Sequence, residues 1–203
     1  SASIDAGVFI QNASSTGNLV TGNYLGTTSS GTAMVTPSSF KQEYGVYINN
    51  APKNTVGGNS ASLRNIISGN WRSGVFLVNA SATGNVIKGN YIGIDVNGTT
   101  FLTGCSQDQG VEIGTNAVSN TIGGSGAGEG NVISGNSDPV NGGIGYGILL
   151  NAGNNLILGN IIGPQADGLT NLASHTQTLG IYMNSGAGNT IGGSTAGARN
   201  IIS

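Results

Sequence analysis

Charged side chains are scarce: Asp, Glu, Lys and Arg together make up 7% of the 203 residues. Soluble helices rely on Glu, Lys, Leu and Ala, so this shortage, with 37 glycines, argues against a helical or α/β enzyme. The six basic residues, Lys41, Lys53, Arg64, Arg72, Lys88 and Arg199, are scattered, and the net charge is −2. A nucleic-acid surface needs a basic stripe that releases counterions, so no nucleic-acid partner is expected. Cys105 is the single cysteine; it forms no internal disulfide, leaves the redox compartment open, and reads as a loop thiol. No apolar run approaches the roughly 18 residues of a membrane span, and "SASIDAGVFI" lacks the basic and apolar regions of a signal peptide.

What is present is a recurrent apolar signal. A mean hydropathy of +0.04 is too high for a solvated, disordered chain, so something is buried. The pattern Gly, apolar, any, apolar occurs at Gly7, Gly45, Gly74, Gly110, Gly147 and Gly180. Two unit types alternate: those opening at Gly7, Gly74 and Gly147 continue as "TGNLVTGNYLGT", "TGNVIKGNYIGI" and "GNNLILGNIIGP". Those opening at Gly45, Gly110 and Gly180 continue as "NTVGGNSASLRNIISGN", "NTIGGSGAGEGNVISGN" and "NTIGGSTAGARNIIS". Three superrepeats result, at residues 7–73, 74–146 and 147–203, within a single domain over 1–203.

Each unit holds three apolar segments too short for helices and bounded by Gly and Asn, which read as strands between turns. Alternation assigns inward columns. The first strand contributes pairs such as Val46 and Ile48 or Val111 and Ile113. The second contributes Val20, Val56, Ile87, Ile122, Ile157 and Ile191, and the third Leu25, Ile67, Ile92, Ile133, Ile162 and Ile202. One strand triplet cannot bury its apolar face alone, but coiling stacks equivalent strands in parallel around a continuous core. The expected fold is all-β, a parallel β-helix (solenoid) of about six rungs of three strands, on the order of 29 Å long at the inter-strand spacing. Gly and Asn at the corners supply positive φ, and stacked Asn side chains are placed to hydrogen-bond from rung to rung.

With those units in view, the chain resembles the right-handed parallel β-helix repeat family, the superfamily of pectate lyases, polygalacturonases and phage tailspikes. The likeness spans the whole chain. It is strongest to repetitive extracellular and cell-surface proteins built from segments like "GNYIGIDVNGT" and "NTIGGSTAGARNIIS". The right hand of the coil and an extracellular or cell-surface location are what the resemblance implies. The superfamily hosts both enzymes and inert scaffolds, so function has to be sought in the residues.

Enzymatic members need acids clustered on adjacent rungs. The acids are Asp5, Glu43, Asp95, Asp108, Glu112, Glu129, Asp138 and Asp167, with no Asp-Asp or Asp-x-Asp pair. Glu112 with Asp108 or Glu43 is the one pairing that offers two carboxylates to a glycosidic bond. Asp138-Pro139 is followed by Val140 where an epimerase-like pattern requires His. His175 stands in "ASHTQT" without a second His or Cys for a metal. "GGSGAGEG" lacks the aspartates of a calcium repeat, and Lys88 precedes Gly89 rather than following it as a phosphate loop requires. No catalytic residue, cofactor or metal is therefore assigned.

The outward positions are more informative. Phe9, Tyr47, Phe76, Glu112, Leu149 and Tyr182 line the first strand, and Tyr24, Ile66, Tyr91, Val132, Ile161 and Ile201 the third. Two apolar columns facing away from a core ordinarily mark interfaces, and Phe9, Tyr47, Phe76, Tyr182, Tyr24 and Tyr91 are the candidate interface residues. Three readings compete: the long inserts at 26–44, 93–109 and 163–179 fold back over them, another protein packs on them, or a polysaccharide stacks on the rings. Asn12, Asn79 and Asn97 head N-glycosylation acceptor patterns. The chain stops at "RNIIS", where its own pattern continues with Gly-Asn, which suggests a longer array or end-to-end self-association. The expectation is a non-catalytic structural or adhesive β-helix, a stalk, fibre or surface-layer segment; the alternative is a polysaccharide-binding or polysaccharide-degrading one.

Overall fold

The computed structural model describes residues 4–35, 42–102, 104, 107–137, 143–173 and 177–203. Its strands fall into six successive rungs. They are β1 (Ile4–Gln11), β2 (Leu19–Val20) and β3 (Tyr24–Leu25); then β4 (Gln42–Asn49), β5 (Thr55–Gly57) and β6 (Ile66–Ile67). Next come β7 (Ser73–Val78), β8 (Val86–Lys88) and β9 (Tyr91–Ile92), followed by β10 (Gln109–Ile113), β11 (Thr121–Gly123) and β12 (Val132–Ile133). Then β13 (Tyr146–Leu150), β14 (Leu156–Leu158) and β15 (Ile161–Ile162) precede β16 (Leu179–Met183), β17 (Thr190–Ile191) and β18 (Ile201–Ile202). Every strand pairs in parallel with the strand three places on, giving three six-stranded sheets: the architecture is a parallel β-helix.

The register sets like on like. Val46 is opposite Val75, Val56 opposite Ile87, and Ile67 opposite Ile92, so each inward column is continuous along the axis. From the second rung to the fifth, these inward side chains are 0% exposed. On the sixth rung Met183, Ile191 and Ile202 are exposed, because their faces along the axis are not covered by a further rung among the described residues.

The corners explain the Asn content. Ahead of the second strand, Asn18, Asn54, Asn85, Asn120, Asn155 and Asn189 form one ladder; ahead of the third, Asn23, Asn65, Asn90, Asn131, Asn160 and Asn200 form another. Asn90 shows the unit. Its backbone N–H and Nδ2 both donate to Asn131 Oδ1 at 3.0 Å, and Nδ2 also reaches Val56 O at 2.9 Å. Its own Oδ1 accepts from Asn65 N at 3.3 Å and Asn65 Nδ2 at 2.8 Å. Asp has no N–H to pass on and Leu has neither group, so only a carboxamide of this length satisfies a buried corner in both directions.

A third ladder joins the remaining corner and alternates residue types: Gln42 donates to Asn70, Asn70 to Gln107, Gln107 to Asn136 and Asn136 to Gln177, at 2.7, 2.7, 2.8 and 3.0 Å. Beside it the repeated glycine that opens each first strand has a steric reason. A Cβ on Gly110 would land on Ile133 Cγ2 of the third strand, and the same clash recurs between Gly74 and Ile92.

The inserts also alternate. On odd rungs the chain after the third strand makes a short antiparallel hairpin, closed by Thr27 with Met34, Ile94 with Phe101 and Pro164 with Asn171. Successive hairpins bond through Val96 N to Gly31 O at 3.0 Å and Ala166 N to Gly98 O at 2.9 Å. They lay Ile94, Phe101, Ala166 and Leu172 over Tyr91, Val132 and Ile161 as a second, smaller core outside the third sheet. On the second and sixth rungs the extra residues sit between second and third strands, as 3-10 turns at Ala61–Leu63 and Ala196–Ala198.

Two tests follow. Asn90→Ala should cost about 2–4 kcal/mol in urea unfolding, since it strands Asn65 and Val56 groups in a dry corner, whereas Asn97→Ala at an exposed hairpin tip should cost under about 1 kcal/mol. Glu129 accepts Lys88 Nζ at 2.8 Å and Gly126 N at 3.0 Å, and these bonds, the one from Lys88 foremost, hold its carboxyl below the usual range. A lowered folded pKa adds stability above the unfolded value that is lost as pH falls through the folded one. Glu129→Gln should therefore flatten that acid-side loss, by less than about 1 kcal/mol for a pair so near solvent.

Candidate functional site

The outer face of the first sheet gathers most of the exposed chemistry. Pairing stacks Phe9 on Tyr47, Tyr47 on Phe76, Phe76 on Glu112, Glu112 on Leu149 and Leu149 on Tyr182. The rings use that register: Phe9 and Tyr47 lie 4.8 Å apart at 19°, and Tyr47 and Phe76 5.2 Å apart at 19°. Tyr44 joins them, 5.0 Å from Tyr47 and 5.1 Å from Phe76, and Tyr146 stacks on Tyr182 at 5.4 Å.

Tyr44 and Tyr146 are members the alternation rule misses. Strict period two turns Tyr44 to the side opposite Tyr47, but the inward Gly45 and Val46 are consecutive at the corner, and the alternation slips by one. An aromatic one residue ahead of the repeated glycine, in both "EYGVYI" and "GYGILL", is the signal that marks them.

Between the aromatic groups lies a polar break. Ser73 Oγ donates to Glu112 Oε2 at 2.7 Å and lies 3.1 Å from Gln109 Oε1. Having one hydrogen, the hydroxyl serves one acceptor at a time, and charge favours the carboxylate. Glu43 meets Arg72 at 3.9 Å with both ends well exposed, a weak pair, and Arg72 in turn lies 5.5 Å from the Tyr44 ring centre. Burial raises the Tyr44 and Tyr47 phenols above their ordinary value; Arg72 opposes the shift and Glu112 adds to it. Of the two acids suggested as partners for Glu112, Glu43 is thus turned to Arg72, and Asp108 contributes its backbone oxygen to Tyr146 N at 2.8 Å.

The third-sheet column has a different setting. Tyr24 is 44% exposed, whereas Tyr91 is half-buried, with the Arg64 guanidinium carbon 4.0 Å from its ring centre. Gly98 of the second hairpin presses on the same ring, where an added Cβ would sit 3.0 Å from Tyr91 Cε2. The hairpins therefore do lie over this column, while Phe9 and Tyr182 on the first sheet stay 51% and 38% exposed.

The acceptor asparagines differ among themselves. Asn12 is exposed at φ 77° and Asn97 is exposed, with Nδ2 donated to Asp95 at 2.9 Å. Asn79, at φ 74°, is half-buried and gives its Nδ2 to Asn49 at 2.8 Å, a bond a glycan would disturb. Cys105, His175 and Asp138 lie outside the described residues. Among the described residues, no group of three or more His, Cys, Asp and Glu comes together, and no helix is long and apolar enough to cross a membrane. Compared with protein-family models, with curated proteins and with solved structures, the chain gives no match in any of the three.

The aromatic face has a titration signature. A phenol whose folded pKa is raised adds stability below the unfolded value near 10 that is lost as pH climbs through the folded one. In an alkaline absorbance titration, Tyr44 and Tyr47 should ionise above the ordinary phenol value near 10, and Glu112→Gln should bring them earlier. An unchanged curve in that variant counts against the geometry.

Proposed function

We propose that this chain is a rigid, non-catalytic rod of an extracellular or cell-surface protein, a stalk, fibre or surface-layer segment that acts through length and through contacts along its sides and axis. The observation that carries this reading is the set of three amide ladders. Bending the rod opens one side of every rung, and on each side that would stretch a line of buried hydrogen bonds in a low-dielectric interior. The resemblance to the pectate-lyase-like β-helix superfamily supports the extracellular setting. Lateral association is supported by exposed apolar groups on the side, Phe9 and Tyr182.

Polysaccharide binding or cleavage is the second reading, favoured by Glu112 standing amid aromatic rings. The ring geometry weighs against it. Sugars stack on open aromatic faces, but these rings lie face to face at 15–20° and mostly present edges outward.

Sedimentation across a wide concentration range, with electron micrographs of the same samples, tests the proposal. Association should appear as rods joined along their sides or ends, and Phe9→Ser with Tyr182→Ser should weaken the lateral form several-fold. Cleavage of any polysaccharide that Glu112→Gln abolishes would replace the proposal with the second reading.

A further inference from the structure

Two of the five described cations are ion-paired. Arg72 meets Glu43 and Lys88 meets Glu129, but Arg64, between the 3-10 turn and β6, has neither an ion pair nor a side-chain hydrogen bond among the described residues. It is nonetheless held in place. Its guanidinium sits over Tyr91, with Nε buried and without a hydrogen-bond partner. Alongside runs a cleft of about 300 Å³, lined by Arg64 with Tyr24, Ser62, Ile66 and Val96, between the even-rung turn and the odd-rung hairpins.

From this arrangement we infer that the cleft seats a carboxylate, supplied by an acidic side chain of a partner protein lying along the third sheet. The inference rests on the reading of the rod as a contact surface and names the chemistry of one such contact. A guanidinium already ordered by an aromatic ring loses little freedom when it binds, and the planar fork at its end matches a carboxylate. The walls favour a protein side chain over a sugar. Val96 suits the methylenes of a Glu, whereas a sugar ring brings several hydroxyls that need partners. Ser62, which shares one hydrogen bond with Ser60 at 3.1 Å, the Tyr24 phenol and Arg64 are the polar side chains along it.

The cleft can be read directly by following the Arg64 Nε–H resonance of the 15N-labelled chain during titration with N-acetylglutamate N-methylamide. That probe should give a saturable shift. N-acetylglutamine N-methylamide should not, and Arg64→Lys, which keeps the charge but removes the fork, should weaken binding about tenfold. Phe9→Ser, on the first sheet, should leave the titration unchanged. Equal responses to the Glu and Gln probes, or no saturation with either, overturn the inference, and saturation by glucuronate at tenfold lower concentration reassigns the cleft to an acidic sugar. The probes are small and monovalent, so the result stands apart from whether whole rods associate.

Discussion

A coiled chain with three corners per turn must turn each corner without leaving a peptide group unpaired in the dry interior. The structure depends on the carboxamide that does this. Each corner Asn takes the N–H of the rung before it and gives its own to the rung after, so no corner is satisfied alone. Aliphatic packing supplies the drive to collapse, but a column of Ile and Val would also suit slipped registers. The ladder admits only the one in which Asn meets Asn, and that puts Val on Val and Ile on Ile.

Much of this was legible in the residues because it repeats. Inward columns follow from alternation, and corners from the Asn before each short apolar segment; both appear in the structure at the positions expected. The third ladder was harder to see. Its Asn members stand at unequal distances from the next first strand, and its Gln members close inserts of different lengths, yet Gln42, Gln107 and Gln177 each fall three residues ahead of a repeated glycine. An alignment of apolar positions alone passes over that regularity.

The side surfaces were legible only in part. Tyr44 was missed because alternation breaks where a corner runs into a strand, and a corner is a three-dimensional event that period two does not describe. Tyr24 and Tyr91 were grouped with the first-sheet aromatics by position, yet the two columns have different neighbours. Hairpins stacked on every second rung shelter most of the third sheet, leaving a slot at the second rung, where Arg64 lies in Tyr91's company rather than an acid's. Counted from composition, that arginine was one of six scattered basic residues; its position beside Tyr91 of the next rung is set by the coil, not by sequence distance.

The ladders also give the rod an arrow. In all three, the side-chain donor belongs to the earlier rung and the acceptor to the later one, from Asn18 to Asn54, Asn23 to Asn65 and Gln42 to Asn70, without reversal along the described length. The amide dipoles add along the axis, and the two directions of travel are chemically unlike. Stacking that continues the arrow matches donor to acceptor at every corner; a two-fold meeting of like ends sets the same partner type against itself. End-to-end stacking of the kind proposed would therefore run head to tail rather than close in a symmetric pair.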